Sequence, residues 1–267
     1  MVATQPNNIN TIERIDLVQE EIGLCETVTN HYWWGNPILM YKLVTYLNNR
    51  NIDTNVIDIG CAQTPFMKAT HIVDFSKETD KIERIEKSNK FNIDLDIDKI
   101  PVIDKFFNFV YCRHTIEDIA NPQFAVNEML RVSPRGFIET PSPLIECLKC
   151  VDGQNCDGIN PQLNYCGYIH HRYIVWSNKS NNTIYFLPKY PIIEYLNHND
   201  SFLKKITYIA NKYPVYWNNY YLWDENNKPN IVVYRHGINF TVHGFHKLLL
   251  EGIQSSIEYT NHLLTII

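Results

Sequence analysis

The chain has 267 residues, 45% of them hydrophobic and 20% charged, with a formal net charge of −5. That is enough apolar material for a large core and it excludes global disorder, while the acidic balance and the lack of a basic block argue against a broad nucleic-acid surface. No apolar run reaches the roughly eighteen residues of a membrane span, and the polar, acidic "MVATQPNNINTIERIDLVQEE" lacks the basic and apolar regions of a signal peptide, so a cytoplasmic protein with reduced thiols is expected.

In chain order, "TIERIDLVQEEIGLC" spaces Ile12, Ile15, Val18, Ile22 and Leu24 as a helix does. Asn36 followed by Pro37 predicts a capped helix through "PILMYKLVTYLNNR". That helix delivers the chain into "NVIDIG", the first of several short apolar runs; "HIVDF", "FNIDL", "FNFVYC" and "GFIET" follow. Between the last two, "NPQFAVNEMLRVSP" predicts a helix capped by Asn121. Its apolar residues Phe124, Ala125, Val126, Met129, Leu130 and Val132 can face a sheet. Buried strands alternating with helices predict a parallel sheet with ligands at the carboxyl ends of its strands.

The second half reads differently. "HRYIVWSNKSNNTIYFLP" predicts two strands around a polar turn, and "PIIEYLNHNDSFLKKITYIANKYP" contains helical material. "NNYYLWDENNKPNIVVYRHG" predicts a hairpin turning at Asn226 to Lys228, and "FHKLLLEGIQSSIEYTNHLLTII" a long final helix. The seven cysteines are an odd number, which does not suggest a disulfide framework. Cys147 and Cys150 have a metal-like spacing within a cluster reaching Cys166. Free loop thiols are the preferred reading and no metal is expected, with nearby His170 and His171 leaving zinc open.

The chemistry concentrates in "NVIDIGCAQTPFMKATHIVDFS". It carries a strand, a turn with one glycine, and a strand closing on Asp74. A carboxylate there can accept hydrogen bonds from both hydroxyls of a ribose. Phe75 offers a face for adenine, Asp96 an acceptor for its amino group, and Gly60 a close backbone approach.

The ordered elements "VIDIGC", "HIVDFS", "DIDKIPVIDKFFNFVYCRHTIEDIANP" and "FAVNEMLRVSPRGFIE", over residues 36–141, resemble the class I S-adenosylmethionine-dependent methyltransferases, in particular their small-molecule branch. Asn108 and Asp118 stand where that pattern usually has Asp and His. The resemblance implies an α/β, Rossmann-like, doubly wound, mostly parallel sheet with an antiparallel hairpin strand and an inserted α+β cap. A single domain is expected: an N-terminal helical segment (1–50), a cofactor-binding core (51–141), an acceptor-side insertion (142–215), and a closing hairpin with the C-terminal helix (216–267). S-adenosylmethionine is the implied cofactor. Asp58 and Gly60 would flank its methionine part, Cys61 beside them would also touch the cofactor, Asp74 and Phe75 would meet its ribose and adenine, and Asp94, Leu95 and Asp96 its adenine. Cys112, Arg113 and His114 would lie beside the sulfonium and the acceptor. Gly60 and Asp74 are too close in sequence for the usual intervening helix, so a loop through Pro65 is expected; a cofactor without pyrophosphate does not require a glycine-rich cradle.

His114 is the leading candidate for a general base, as a neutral imidazole at a strand's carboxyl end. Glu139, just past the fifth strand, and His170 and His171, in the insertion, are the further catalytic candidates. Plainer readings stand beside these: Glu117 as a helix cap or ion pair, His170 to Arg172 as a polar strand edge, Trp33 and Trp34 as packing. The expected partner is a small polar acceptor, such as a sugar or other metabolite, with no nucleic acid and no membrane; the oligomeric state is left open. The alternative is a non-catalytic binding or scaffold protein on the same fold, since fold alone does not establish activity.

Overall fold

Asn36 caps the first helix, α1 (Pro37–Asn49), as its sequence predicts: its Oδ1 accepts from the backbone N–H groups of Ile38 and Leu39, both at 3.1 Å. Leu39, Leu43 and Leu47 recur every fourth residue and are fully buried against the sheet. Each such side chain contributes about 1.5–3 kcal/mol on burial, so a charge at Leu43 would undock the helix. The structure is a computed structural model that describes residues 36–52, 54–148, 166–190, 193, 206, 208–210, 212–235 and 242–267. The helical reading of residues 11–25, Trp33 and Trp34, Cys150 and most of the helical reading of 191–214 lie outside the described residues.

The predicted strands form β1 (Val56–Ile59), β2 (His71–Asp74), β3 (Lys90–Asn92), β4 (Phe109–Arg113) and β5 (Gly136–Pro141). With β8 (Asn218–Trp223) they make a six-stranded sheet in the order β3-β2-β1-β4-β5-β8. All of its pairs are parallel except β5 with β8. The order reverses between β1 and β4, which opens a crevice beyond their carboxyl ends. Helix α2 (Pro122–Val132), capped by Asn121, makes the crossover from β4 to β5 and buries Ala125, Val126, Met129 and Val132. Its Glu128 and Arg131 clamp the chain that precedes β4. Glu128 Oε1 accepts from Ile100 N–H at 2.8 Å, and the Arg131 guanidinium donates to the carbonyls of Ile100 and Val102.

A short helix α3 (Pro143–Glu146), capped by Ser142, follows β5. β6 (Tyr173–Asn178) and β7 (Thr183–Pro188) are the predicted antiparallel pair. The sequence reading of a β8–β9 hairpin needs correction. β9 (Asn230–Val233) pairs parallel with β7 in a separate three-stranded sheet, β6-β7-β9, while β8 extends the main sheet. The Tyr221 hydroxyl on β8 lies within hydrogen-bond reach of Asn182 Oδ1, at 2.5 Å, and of Asn227 O, at 3.1 Å, which holds the connection after β8 to the β6–β7 turn. Helix α4 (Val242–Ile266) then packs on β6 and β8. Among the described residues no helix is long and apolar enough to cross a membrane.

Candidate active site

The connection from β1 to β2 holds no helix, as its length predicts; residues 60–70 run as a loop. Three side chains fix that loop. Buried Asp58 on β1 accepts from Phe66 N–H at 2.6 Å. Asp74, ending β2, accepts from Ala62 N–H at 2.9 Å and from Ser76 N–H at 2.8 Å. Arg84 donates to the carbonyls of Pro65, Phe66 and Ala69. The Phe66 ring stacks on Tyr111 with centroids 4.3 Å apart. Gly60 has φ +75°, and a Cβ there would fall 2.0 Å from Thr115 Oγ1, so glycine is required by the neighbouring β4 loop.

Two adjoining cavities lie at the carboxyl ends of the strands. The first, about 440 Å³, is lined by Asp74 and Phe75 at the end of β2, by Ile93, Asp94, Leu95 and Asp96 after β3, and by Thr115, Asp118 and Ile119. The second, about 310 Å³, is lined by Asp58, Cys61, Arg113, Tyr168, His170 and His171 among others. Gly60, Ala62 and His114 belong to both walls. Ala62 and His114 have φ of 46° and 48°, a left-handed backbone that costs a non-glycine residue about 1–2 kcal/mol.

The predicted residues are distributed unevenly over this cleft. Asp74 keeps a second lone pair on each oxygen beyond its amide bonds, so it can still meet a hydroxyl. Phe75 is 80% exposed at the rim. Asp96 Oδ1 accepts from Asn121 N–H at 2.7 Å, and Asp94 Oδ1 from Asp96 N–H, so this acidic turn is partly self-bonded. Cys112 is buried in β4 and lines neither cavity. Glu139 likewise lies inside the sheet: its Oε1 accepts from Asn218 Nδ2 at 2.6 Å and faces Arg113 Nε at 3.4 Å. It supports Arg113 and His114 from behind.

His114 stands between the cavities. Its Nδ1 is 3.7 Å from Glu117 Oε1 and its Nε2 4.0 Å from Glu139 Oε1. Burial and the positive charge of Arg113 hold its pKa well below the ordinary histidine value, so the ring is neutral at neutral pH. Burial raises Asp58 to about 7 and Glu117 to about 8.

The second cavity's far wall comes from the segment after residue 165. Arg172 and Tyr173 donate their N–H groups to Glu117 O at 3.0 and 3.1 Å, which brings His170 and His171 over the β4 loop. Gly167 has φ +58°, and a Cβ there would lie 2.2 Å from Glu146 Oε2. That close pass lets Glu146 hold His171 Nδ1 at 2.5 Å and Lys189 Nζ at 2.6 Å. Burial raises the Glu146 carboxyl, but Lys189 and His171 outweigh it and the net shift is downward. Glu146, Lys189 and Asp118 escaped the sequence reading; a lone acid in the apolar "PLIECL" and an aspartate where the family pattern has histidine were the available signals. Cys147 and Cys166 are buried, and burial pushes the Cys147 thiol well above its ordinary range.

The cleft fits a nucleoside cofactor in its donor set: apolar Ile93, Leu95 and Ile119 for a base, Asp74 for a ribose, and Asp58 with Arg113 at the other end. Residues 57–138 match the sequence profile of the family described as "Methyltransferase domain". Similar solved structures include an S-adenosylmethionine-dependent methyltransferase from Mesorhizobium loti, 15% identical over 40% of this chain and 55% of that one, TM-score 0.33. One from Aquifex aeolicus is 15% identical over 49% and 73%, TM-score 0.30. A methyltransferase-like structure from Methanococcus maripaludis, described as putative, is 17% identical over 52% and 66%, TM-score 0.32. The chain thus spans about half the length of the Mesorhizobium protein, 55%. No curated protein matches it.

Proposed function

We propose that this chain, whose residues 57–138 carry the class I methyltransferase fold, transfers a methyl group from S-adenosylmethionine to a small polar acceptor. One observation carries the reading: two cavities share the wall Gly60, Ala62 and His114 at the switch in strand order. When bound, S-adenosylmethionine supplies a methyl on a sulfonium, open to in-line displacement that leaves a neutral thioether. Asp74 holds the ribose hydroxyls, and Leu95 with Ile93 covers the base. Asp58 and Arg113 frame the amino-acid end. The acceptor enters beside His114, Tyr168 and His171, so the insertion chooses it. His114, whose neutral ring lines both cavities, takes the acceptor's proton as the new bond to the methyl carbon forms. Holding the two reactants in line supplies much of the rate.

Titration calorimetry of the full chain with S-adenosylmethionine and with its demethylated product tests the reading. Binding of both is expected; binding of neither, by folded protein, favours the non-catalytic scaffold. His114→Asn suits the second test because asparagine tolerates the left-handed backbone at this position. It should keep cofactor affinity and lower turnover by about 10²–10⁴-fold.

A further inference from the structure

We propose that Asp118, His170 and His171 form a binding site for one divalent transition-metal ion at the acceptor end of the cleft. One ligand atom from each of the three lies within 4.8 Å of the others. Donors about 2.1 Å from a common ion are at most about 4.2 Å apart, so a small closure completes the set.

His171 is oriented for this role. Its Nδ1 is held by Glu146 at 2.5 Å, and Glu146 is fixed in turn by Lys189. A carboxylate on one ring nitrogen fixes the ring's orientation and leaves the other nitrogen as the ligand atom once its proton is displaced. That other nitrogen, Nε2, points toward Glu117, whose Oε1 is 3.9 Å away.

Glu117 is an independent second observation. It is 1% exposed, and neither of its carboxylate oxygens has a hydrogen-bond partner; Asp118 Oδ1 has none either. Buried carboxylate oxygens are rarely left so, because desolvation without compensation is costly. A cation at the neighbouring site would give these oxygens a polar partner. Two imidazoles with a carboxylate favour manganese, iron, cobalt or zinc over magnesium or calcium.

Three protein ligands leave coordination positions open. His170 and His171 line one cavity and Asp118 the other, so the open positions face the space His114 also faces. An oxygen-bearing acceptor, such as a hydroxyl or a vicinal diol, is the group those positions take. This narrowing of the acceptor rests on the methyl-transfer reading; the metal site itself does not.

The test is a titration of the untagged full chain, stripped with chelator, with Co²⁺ and Mn²⁺. One equivalent should bind at micromolar concentration, and the cobalt spectrum should show d–d bands without thiolate charge-transfer absorption. His170→Ala and Asp118→Asn change partly exposed side chains, so the fold should survive. Each should weaken binding at least about 10-fold. No binding, binding that survives both substitutions, or a thiolate spectrum pointing to Cys147 and Cys166 overturns the site. S-adenosylmethionine titrated into the same samples separates the two readings. Cofactor binding without metal binding removes the metal alone; metal binding without cofactor binding keeps the site and removes the methyl-transfer role.

Discussion

At the β1–β2 end of the cleft, Asp58 and Asp74 commit their oxygens to the backbone amides of Phe66, Ala62 and Ser76. At the β4 end, Glu117 is equally buried and has neither oxygen bonded, while Glu146 is held by a buried lysine and a histidine. The first arrangement is scaffolding: carboxylates replace the hydrogen bonds that a missing helix would have made within itself. The second leaves polar capacity open inside the protein, at a cost in stability, next to the space a substrate would enter. Buried acids of similar exposure therefore do different work, and the difference lies in how many donors reach them.

The sharpest way to break this contrast is Glu146→Ala. It strands Lys189, which is 0% exposed, and frees His171. Removing one partner of a buried pair costs about 3–5 kcal/mol, read by urea denaturation. A loss below about 1 kcal/mol would mean that the cluster is not held as a unit.

Asp58→Asn comes next and depends on pH. Because burial raises Asp58 to about 7, the folded state favours its protonated form. Its contribution is complete below about pH 4 and is lost as pH rises through about 7; by linkage the effect is about 4 kcal/mol at most. Asparagine keeps an acceptor for Phe66 N–H, so the variant should match the wild type near pH 4 and exceed its stability at pH 8. Parallel stability curves across that window would show that Asp58 does not carry the slope.

Asp74→Ala should weaken S-adenosylmethionine binding by roughly 1.5–3 kcal/mol through the lost charge-assisted bonds. Hydrogen exchange at Ala62 and Ser76 should accelerate with it, since those amides lose their acceptor. Unchanged affinity with faster exchange would make Asp74 pure scaffolding and extend the contrast to the whole β2 end. Phe75→Ala is the smallest change. The ring is exposed, so stability should move by no more than about 0.5 kcal/mol, while calorimetry should detect about 0.5–1.5 kcal/mol of lost stacking on the base.

The main sheet was legible because its strands are short, apolar and bounded by turn residues, and because Asn36 and Asn121 each precede a proline at a helix start. The absent helix after β1 could be read from chain length alone. What held that loop could not, since Arg84 reaches it from far along the chain. The β8–β9 hairpin was misjudged because a turn signal says where the chain reverses, not which sheet receives the next strand. His114 was placed by its position after a buried strand. Glu139 looked equivalent, yet its side chain meets Asn218 on a strand whose pairing is a long-range fact. The Glu117–Glu146–His171 cluster escaped for the same reason: its members come from three separate segments, joined by hydrogen bonds such as Arg172 N–H to Glu117 O.

The loop between β1 and β2 has an electrostatic consequence. A helix beginning at the end of β1 would point its N-terminus at the cleft, a half positive charge built from backbone dipoles that no point substitution can remove. Here that fixed dipole is absent, and Arg113, propped by Glu139, stands at the wall instead. The polarity of this end of the cleft is therefore written in side chains. It can be retuned by single substitutions, and a chain built this way can shift its preference for anionic groups without rebuilding its backbone.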